Sequence, residues 1–471
     1  MVFSSLEFLT LFLPAFLLLY WIVPQRFRNA LLLVGSLVFY LLGTLDHPVY
    51  VLLLLIAAVL VNYGAALMME RSARPKAWLI AGIVYNFGWL FVFKYADFLF
   101  TGINQVLLAL FPSGTVRIPL LELLLPIGIS FYAFQAVSYL VDVYRRTYPA
   151  ERSLLRFGTY LCMFPKLTSG PITDYAEVRG QLQSRTVSLN GAVSGMKTFI
   201  FGMGLKVLLA NRIGGLWTDV TTIGFDSIST PLAWMSIFAY SFQLYFDFFG
   251  YSLMAIGLGK MLGFRLPQNF RHPYLSLSMT EFWRRWHITL GSWFRDYVYI
   301  PLGGSREGQG KTMRNLLVVW LCTGLWHGAH LNFLLWGLVL FAIIALEKLG
   351  LKRTLDRHPA FGHLYMLLLI PLSWAVFAVT DLSQLGMLFG RLFPFFQRGV
   401  EVVFQQDYLK YAKTYGLWLA LGFLFSTKLP YRLYARCKSN VIGAVFLVLV
   451  FAASVYCMYM GMNDPFLYFR F

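Results

Sequence analysis

The sequence predicts an all-α, polytopic membrane protein. Hydrophobic residues make up 58% of the 471 residues and charged residues only 13%, against about 25% charged in soluble domains. Apolar runs long enough to cross a bilayer recur along the chain, and they are continuous rather than alternating, which favours helices over a β-barrel. Basic residues are concentrated in alternate loops between these runs, as in a chain that crosses the membrane repeatedly.

We expect eleven or twelve spanning helices within one membrane domain covering residues 1–471, because no internal repeat or linker divides the chain. The segment Leu154–Phe164 is too short to span and predicts a re-entrant element. The apolar runs are Phe8–Val23, Leu31–Leu45, Val49–Met69, Trp78–Phe93, Leu120–Val141, Val193–Leu209, Leu232–Leu258, Leu316–Leu331, Phe333–Leu346, Leu364–Val379, Tyr415–Phe425 and Val441–Met460.

The distribution of Lys and Arg predicts the topology. Loops such as 71–76, 145–185 and 260–314 are rich in basic residues and are expected in the cytoplasm. Both termini, together with Asp46–His47, then face outward, and the N-terminal run is a retained span because it lacks a basic region before it. Topology and anionic membrane lipids account for the net charge of +18, so nucleic acid is not an expected partner.

The segment Leu316–Gly337 places a titratable side chain deep in an apolar run. His327 lies thirteen residues beyond Arg314, or roughly 20 Å at 1.5 Å per residue. Ionisable groups at such depth are costly and usually functional, although a structural histidine satisfied by a neighbouring helix is the alternative. His327 and His330 alone are a weak metal signal, and the four cysteines lack paired spacing, so no metal site is expected.

The segment SMTEFWRRWHITLGSWFRDYVYIPLGG predicts an amphipathic helix lying in the membrane interface. Phe282, Trp286 and Leu290 recur at helical spacing, and Arg285 lies on the polar face. His287 is about 200° from Arg285 around such a helix, so it points with Trp283 into protein or lipid, where it needs a partner or a cavity.

Other polar residues favour a cavity in the membrane. Gln243 and Asp247 share one helix face, and Lys197 and Lys206 interrupt the preceding run, so Asp247 is either a structural ion-pair partner or a catalytic carboxylate. The loop PLGGSREGQGKTMR contains Gly310, Lys311 and Thr312, but Ser305 takes the place of the first glycine of a phosphate-binding P-loop, and no strand precedes it. Its basic residues either reflect topology or meet a phosphorylated co-substrate.

The chain resembles the membrane-bound O-acyltransferase superfamily, and its bacterial alginate O-acetyltransferase branch in particular. The resemblance spans nearly the whole sequence. It is carried by LPIGISFYAFQAVSYLVDVYR, FPKLTSGPI, LYFDFFGYSLMAIGLGKMLGF, EFWRRWHITLGSWFRDYVYIPLGG, GLWHGAHLNFLLWG and PFLYFRF.

This resemblance implies a multi-helix fold with a central tunnel in the bacterial inner membrane. It assigns His327 as the catalytic base and His287 as a second tunnel histidine, with Trp283, Arg285, Trp326, Asp247 and Arg295 as candidate substrate ligands. Acetyl-CoA is the expected donor and an extracytoplasmic polysaccharide the expected acceptor. The implied partners are an extracytoplasmic acetyltransferase or esterase-like protein and polysaccharide synthase or export machinery.

The sequence departs from the family pattern at Leu253, where GYSDMAIG is expected, at Asp174 after GPI, and at His330, where asparagine is common. These differences bear on the acceptor, so alginate itself does not follow. Two other functions stay open at this point. One is a D-alanyl transferase fed by a carrier-protein thioester, and the other is a non-enzymatic translocator of polysaccharide or lipid.

Overall fold

The structure, a computed structural model, describes residues 2–44, 48–111, 117–396 and 404–462. The regular elements in these ranges are helices, and no strand occurs among them, which confirms the all-α class. The chain forms two compact units. The first comprises chiefly Glu7–Ala192 and Gly259–Pro267, and the second Phe3–Leu6, Val193–Leu258 and the described residues from Gln268 onward. Organisation as a single domain over residues 1–471 stays a prediction.

Eight helices build most of the first unit as it is described. They follow a π-helical turn at Phe8–Phe12, with a 3₁₀ turn at Gln25–Phe27 between the first two. The helices are α1 (Leu13–Ile22), α2 (Arg28–Gly43), α3 (Pro48–Arg71), α4 (Pro75–Leu110), α5 (Ile129–Tyr144), α6 (Leu154–Cys162), α7 (Phe164–Leu167) and α8 (Tyr175–Gln183).

Two of these elements differ from the sequence prediction. Helix α4 continues seventeen residues beyond the expected end at Phe93, because charged residues lower hydropathy without breaking a helix. The predicted run Leu120–Val141 becomes helical only at Ile129. Before it the backbone is irregular, and Asp97 of α4 accepts from the amides of Leu121 and Glu122 at 2.7 and 2.9 Å. Helices α6 and α7 are short and buried, while a re-entrant path through the membrane stays a prediction.

The second unit contains the remaining helices. Helix α9 (Leu189–Gly204), which starts in the first unit, runs through a π-helical segment, Leu205–Ala210, into α10. Further π-helical turns cover Arg295–Tyr299 and Glu347–Leu351, and 3₁₀ turns cover Pro273–Leu275 and Pro394–Phe396. The helices after α9 are α10 (Asn211–Ile223), α11 (Thr230–Met261), α12 (Met279–Arg285), α13 (Ile288–Phe294), α14 (Gln309–His327), α15 (Leu331–Leu346), α16 (Lys352–Arg357), α17 (Pro359–Ala378), α18 (Leu382–Leu392), α19 (Asp407–Ser426), α20 (Leu429–Cys437) and α21 (Val441–Tyr459).

Seven helical segments in the described ranges are long and apolar enough to cross a membrane, so the chain is a multi-pass membrane protein. The total of eleven or twelve spans stays a prediction. The seven segments are Gln25–Gly43, Val49–Arg71, Pro75–Leu110, Leu189–Ile223, Leu331–Arg357, Pro359–Ala378 and Val441–Tyr459.

Glycines let α9 and α11 approach until their backbones touch. A Cβ on Gly202 would lie 2.5 Å from the carbonyl oxygen of Gly250, and one on Gly257 would lie 2.6 Å from that of Gly195. Small residues at a crossing permit this close packing inside a membrane. Leu253, the departure from GYSDMAIG, lies at the same crossing, where it would be 2.8 Å from a Cβ on Gly202.

Part of the segment 381–413 packs on the ends of α10 and α11. Arg391 is buried, and its guanidinium donates to the backbone carbonyls of Phe225, at 3.2 Å, and Asp226. Asp407 accepts from the amide of Ser229 at 3.0 Å. Arg391 therefore serves packing at the ends of these two helices. Asp46–His47, residues 397–403 and the terminal PFLYFRF with Phe471 lie outside the described residues.

Candidate functional site

His327 ends α14, at the tip of a tightly packed helical hairpin with α15. Gly324 and Gly337 make this approach possible, because a Cβ on either would lie within 2.5 Å of a carbonyl oxygen on the opposite helix. The hairpin keeps the polar end of α14 inside the protein, and His327 is only 4% exposed. Helix α14 is not among the seven candidate spans, so the depth of His327 in the bilayer stays a prediction.

Aromatic rings fix the orientation of the His327 imidazole. Trp336 and Phe377 lie nearly perpendicular to it, with centroids at 5.2 and 4.9 Å, and Trp326 lies at 4.7 Å. Perpendicular packing of this kind is a favourable arrangement of aromatic rings. The imidazole is thus held in a largely apolar wall by side chains from α14, α15 and α17.

His287 lies at a break between α12 and α13, so the prediction of one continuous amphipathic helix is wrong. Trp286 is extended, and His287 has a left-handed backbone with φ 42°. The amide of Ile288 donates to the carbonyl of Asn269 at 2.9 Å, and the amide of Arg271 donates to the carbonyl of Arg285. Tertiary hydrogen bonds to the segment 269–271 therefore replace the helical ones at this point.

The Asn269 side chain organises this break. Its Oδ1 accepts from the hydroxyl of Thr289 at 2.7 Å and lies 3.3 Å from Nδ1 of His287. His287 is 2% exposed, and its burial lowers the pKa of the imidazole to about 3, which keeps the ring neutral at pH 7. The sequence predicts that His287 points into protein or lipid, and the structure buries it in protein, although the continuous helix behind that prediction is absent.

Trp326 brings the two histidines into one aromatic cluster. Its ring centroid lies 4.7 Å from that of His327 and 6.1 Å from that of His287. Phe248 of α11 packs perpendicular to the His287 ring, with the two ring centroids 4.7 Å apart. Two histidines separated by forty positions in the sequence therefore both lie near a single tryptophan ring.

A cavity of about 600 Å³ opens beside this cluster. His287, Trp283 and Trp320 form part of its wall, and Arg295 also lines it. Arg284 and Lys348 also line it, and sequence reasoning missed both cations because basic side chains outside the apolar runs are accounted for by topology. The cavity therefore combines apolar aromatic walls with a positive lining.

Trp283 connects the cavity wall to the catalytic candidate. Its ring lies 5.5 Å from that of Trp336, which in turn packs on His327. Trp320 lies 5.0 Å from Trp283 on another side. The cavity wall and the surroundings of His327 thus share the same packed rings.

Arg285 and Asp247 make ion pairs away from these rings. Arg285 pairs with Glu281 one helical turn earlier, at 2.5 Å, and Asp247 pairs with the fully buried Lys206 at 2.9 Å. Neither lines the cavity described above. Their roles as substrate ligands stay predictions, and His330 lies at the start of α15.

Glu347 is a further residue that the sequence did not single out. Its buried carboxylate accepts from the amides of Met279 and Thr280, at 2.6 and 2.8 Å, and thus caps α12. A negative charge at a helix N-terminus satisfies free amides and the helix dipole. In the sequence, Glu347 is an ordinary charge after an apolar run, and only the fold shows that it positions the helix carrying Trp283.

No group of three or more His, Cys, Asp or Glu side chains suited to a metal ion occurs in the described ranges.

Comparison with known proteins identifies the family. A family model described as MBOAT, membrane-bound O-acyltransferase family, matches residues 145–360. The probable alginate O-acetylase AlgI of Pseudomonas putida is 36% identical over the full length of both chains. That of Pseudomonas aeruginosa is 40% identical over 84% of this chain and 75% of its own. The peptidoglycan O-acetyltransferase of Helicobacter pylori is 32% identical, over 82% and 78%. The chain thus belongs to the membrane-bound O-acyltransferase family and is an acyltransferase.

Proposed function

We propose that this protein takes an acetyl group from acetyl-CoA in the cytoplasm and delivers it across the bacterial inner membrane for O-acetylation of an extracytoplasmic polysaccharide, with His327 as the general base. The observation that carries this proposal is that two buried histidines pack near the ring of Trp326, and that one of them, His287, lines a cavity with cations at its wall. Resemblance to polysaccharide O-acetylases over most of the chain supports the same class of reaction.

The cavity suits a donor with an apolar arm and a phosphorylated end. Trp283, Trp320 and Leu290 offer apolar contact for the arm that carries the thioester. Arg284, Arg295 and Lys348 offer positive charge to phosphates. Arg295 also contacts Asp296 through two hydrogen bonds of 2.7 and 2.8 Å, so part of its charge is already balanced. We therefore assign the donor to this cavity.

The proposed chemistry needs one base and a dry environment. Neutral His327 accepts the proton of the acceptor hydroxyl as its oxygen attacks the thioester carbonyl, and collapse of the tetrahedral intermediate releases the thiolate, which takes up a proton. The packed rings around His327 exclude water, which limits hydrolysis of the thioester. His287, held by Asn269, positions the donor or stabilises the developing oxyanion.

The acceptor side of the reaction involves a partner. We propose an extracytoplasmic acetyltransferase or esterase-like protein that receives the acetyl group and works with polysaccharide synthase or export machinery. Phe395 and Phe404 flank residues 397–403 and are more than 70% exposed, which suits docking of a protein or contact with the membrane surface. Relatives named for alginate and for peptidoglycan leave both polymers as candidate final acceptors.

The decisive experiment compares His327→Ala with His358→Ala in purified full-length protein. His358 is exposed after α16 and serves as the matched histidine control. We expect the His327 variant to lose about 10²–10⁴-fold in acyl transfer from acetyl-CoA, at unchanged thermal stability, and the control to retain activity. A folded His327→Ala protein with wild-type turnover contradicts the base assignment. Acyl transfer that occurs only from a D-alanyl carrier thioester contradicts the assignment of acetyl-CoA as the donor.

A further inference from the structure

Helix α20 has the surface of a helix that lies in a membrane interface. Lys428, Arg432 and Arg436 follow one another at four-residue spacing, so they share one side of the helix. Leu429 and Leu433, the next residues around the helix, are each more than 50% exposed. Basic side chains beside exposed apolar ones are the composition of helices that bind anionic bilayer surfaces.

The inner side of α20 is held by aromatic contacts. Tyr434 stacks on Phe201 of α9 with centroids at 4.7 Å. Tyr431 packs on the ring of His272 at 4.9 Å and on Phe249 of α11 at 6.0 Å. These contacts fix α20 against α9 and α11, so the fold determines the direction in which its basic residues point.

An apolar groove of about 390 Å³ begins beside the start of α20. Thr427, the residue before Lys428, lines one end together with Tyr274 and His363. Ile370 and Phe423 line it further along α17 and α19. His363 and Pro371 are eight residues apart on α17, so the groove follows that helix for roughly 12 Å. This shape accommodates the upper part of a lipid chain.

Positive charge is concentrated where the groove meets the helix. His272 precedes the 3₁₀ turn that carries Tyr274 into the groove. Burial and the nearby positive charges of Lys428, Arg285 and Arg432 lower the pKa of His272. Arg285 is paired with Glu281, whereas Lys428 and Arg432 are exposed and can meet an anionic group at this end.

We propose that this groove and the start of α20 form a binding site for an anionic membrane phospholipid, with one acyl chain in the groove and the phosphate headgroup on Lys428 and Arg432. The site is separate from the cavity assigned to the donor, because the two share no lining residue. Charge complementarity selects an anionic headgroup over a zwitterionic one, and the apolar groove selects a lipid over a soluble phosphate. The proposal does not depend on which acyl group the protein transfers.

Native mass spectrometry of the purified full-length protein tests this site with phosphatidylglycerol and phosphatidylethanolamine of identical chains. We expect preferential retention of phosphatidylglycerol. The double variant Lys428→Gln/Arg432→Gln should bind it about 30-fold more weakly, since each surface cation contributes about 1 kcal/mol. Arg353→Gln/Arg357→Gln is the matched control, because these residues are also exposed at four-residue spacing on a short helix.

A groove variant separates lipid from free anion. Leu367 lines the groove and is 43% exposed, so Leu367→Trp fills the groove without disturbing the core. This variant should bind both lipids more weakly. Inorganic phosphate and soluble glycerophosphoglycerol should not displace phosphatidylglycerol. Equal retention of both lipids by the wild type, unchanged binding in the Lys428/Arg432 variant, or displacement by the soluble anions at lipid concentration would each overturn the proposal. Each variant is first checked for a wild-type melting temperature.

Discussion

Replacement of Asp247 by asparagine should destabilise the protein strongly, because it leaves the charge of Lys206 buried without its carboxylate. The Lys206 side chain is fully buried, and its Nζ lies 2.9 Å from Oδ1 of Asp247 and 3.2 Å from Oδ1 of Asn211. At an effective dielectric constant of 20, two unit charges at that separation attract by about 6 kcal/mol. Measured losses on breaking buried pairs are about 3–5 kcal/mol, which is the effect we expect.

The matched double variant Lys206→Met/Asp247→Leu should recover most of this stability. Replacing both charges with apolar side chains of similar volume removes the desolvation cost together with the attraction. Lys197→Met is the control on the same helix, because its Nζ donates to the Lys438 carbonyl and not to a carboxylate. Thermal unfolding of these variants and of Lys206→Met in detergent gives the coupling between the two sites.

Acyl transfer by the double variant then separates the structural role of Asp247 from substrate binding. We expect thioester turnover near the wild-type rate, measured well below the melting temperature of every variant. A stable double variant that no longer turns over thioester would refute this reasoning and assign Asp247 to the substrate. A double variant as unstable as Asp247→Asn would show that the pair does not account for the loss.

Four other outcomes are expected. Lowering the pH from 7 to 5 should reduce the free energy of unfolding by about 2 kcal/mol through His287, whose pKa is about 3 in the folded protein and about 6.5 in the unfolded chain. Below pH 6.5 the unfolded chain binds a proton that the folded protein does not, so stability falls progressively toward pH 3. A melting temperature that depends on pH equally in His287→Asn would contradict this. Asn269→Ala should cost about 1–3 kcal/mol and reduce turnover, which Asn269→Asp partly restores as an acceptor for Thr289. Gly202→Ala should cost about 1–3 kcal/mol in thermal unfolding, whereas Gly180→Ala, which meets open space, should not. A cysteine at position 74 should stay unlabelled by an impermeant reagent in intact cells, and labelling there would reverse the predicted topology.

The sequence alone determined the class of this protein and its family. Low charge and long apolar runs indicate a membrane protein, in which the backbone must satisfy its own hydrogen bonds. The runs are continuous rather than alternating, so the spanning segments are helices and not barrel strands. The motif GLWHGAHLNFLLWG is enough to single out His327, since an ionisable residue within an apolar run is recognisable locally. These features depend on composition and short-range pattern, so one sequence suffices to see them.

The arrangement of the site residues depends on contacts between distant parts of the chain. The segment SMTEFWRRWHITLGSWFRDYVYIPLGG has the periodicity of one helix, yet hydrogen bonds from the segment 269–271 break the helix at Trp286 and His287. The same holds for Glu347, which caps a helix 68 residues earlier in the chain. Periodicity reports which face of a segment is apolar, whereas these partners are distant in sequence and are brought together by packing. The sequence therefore located the candidate histidines, and the fold brought His287 to Trp326, the residue that precedes His327 in the chain.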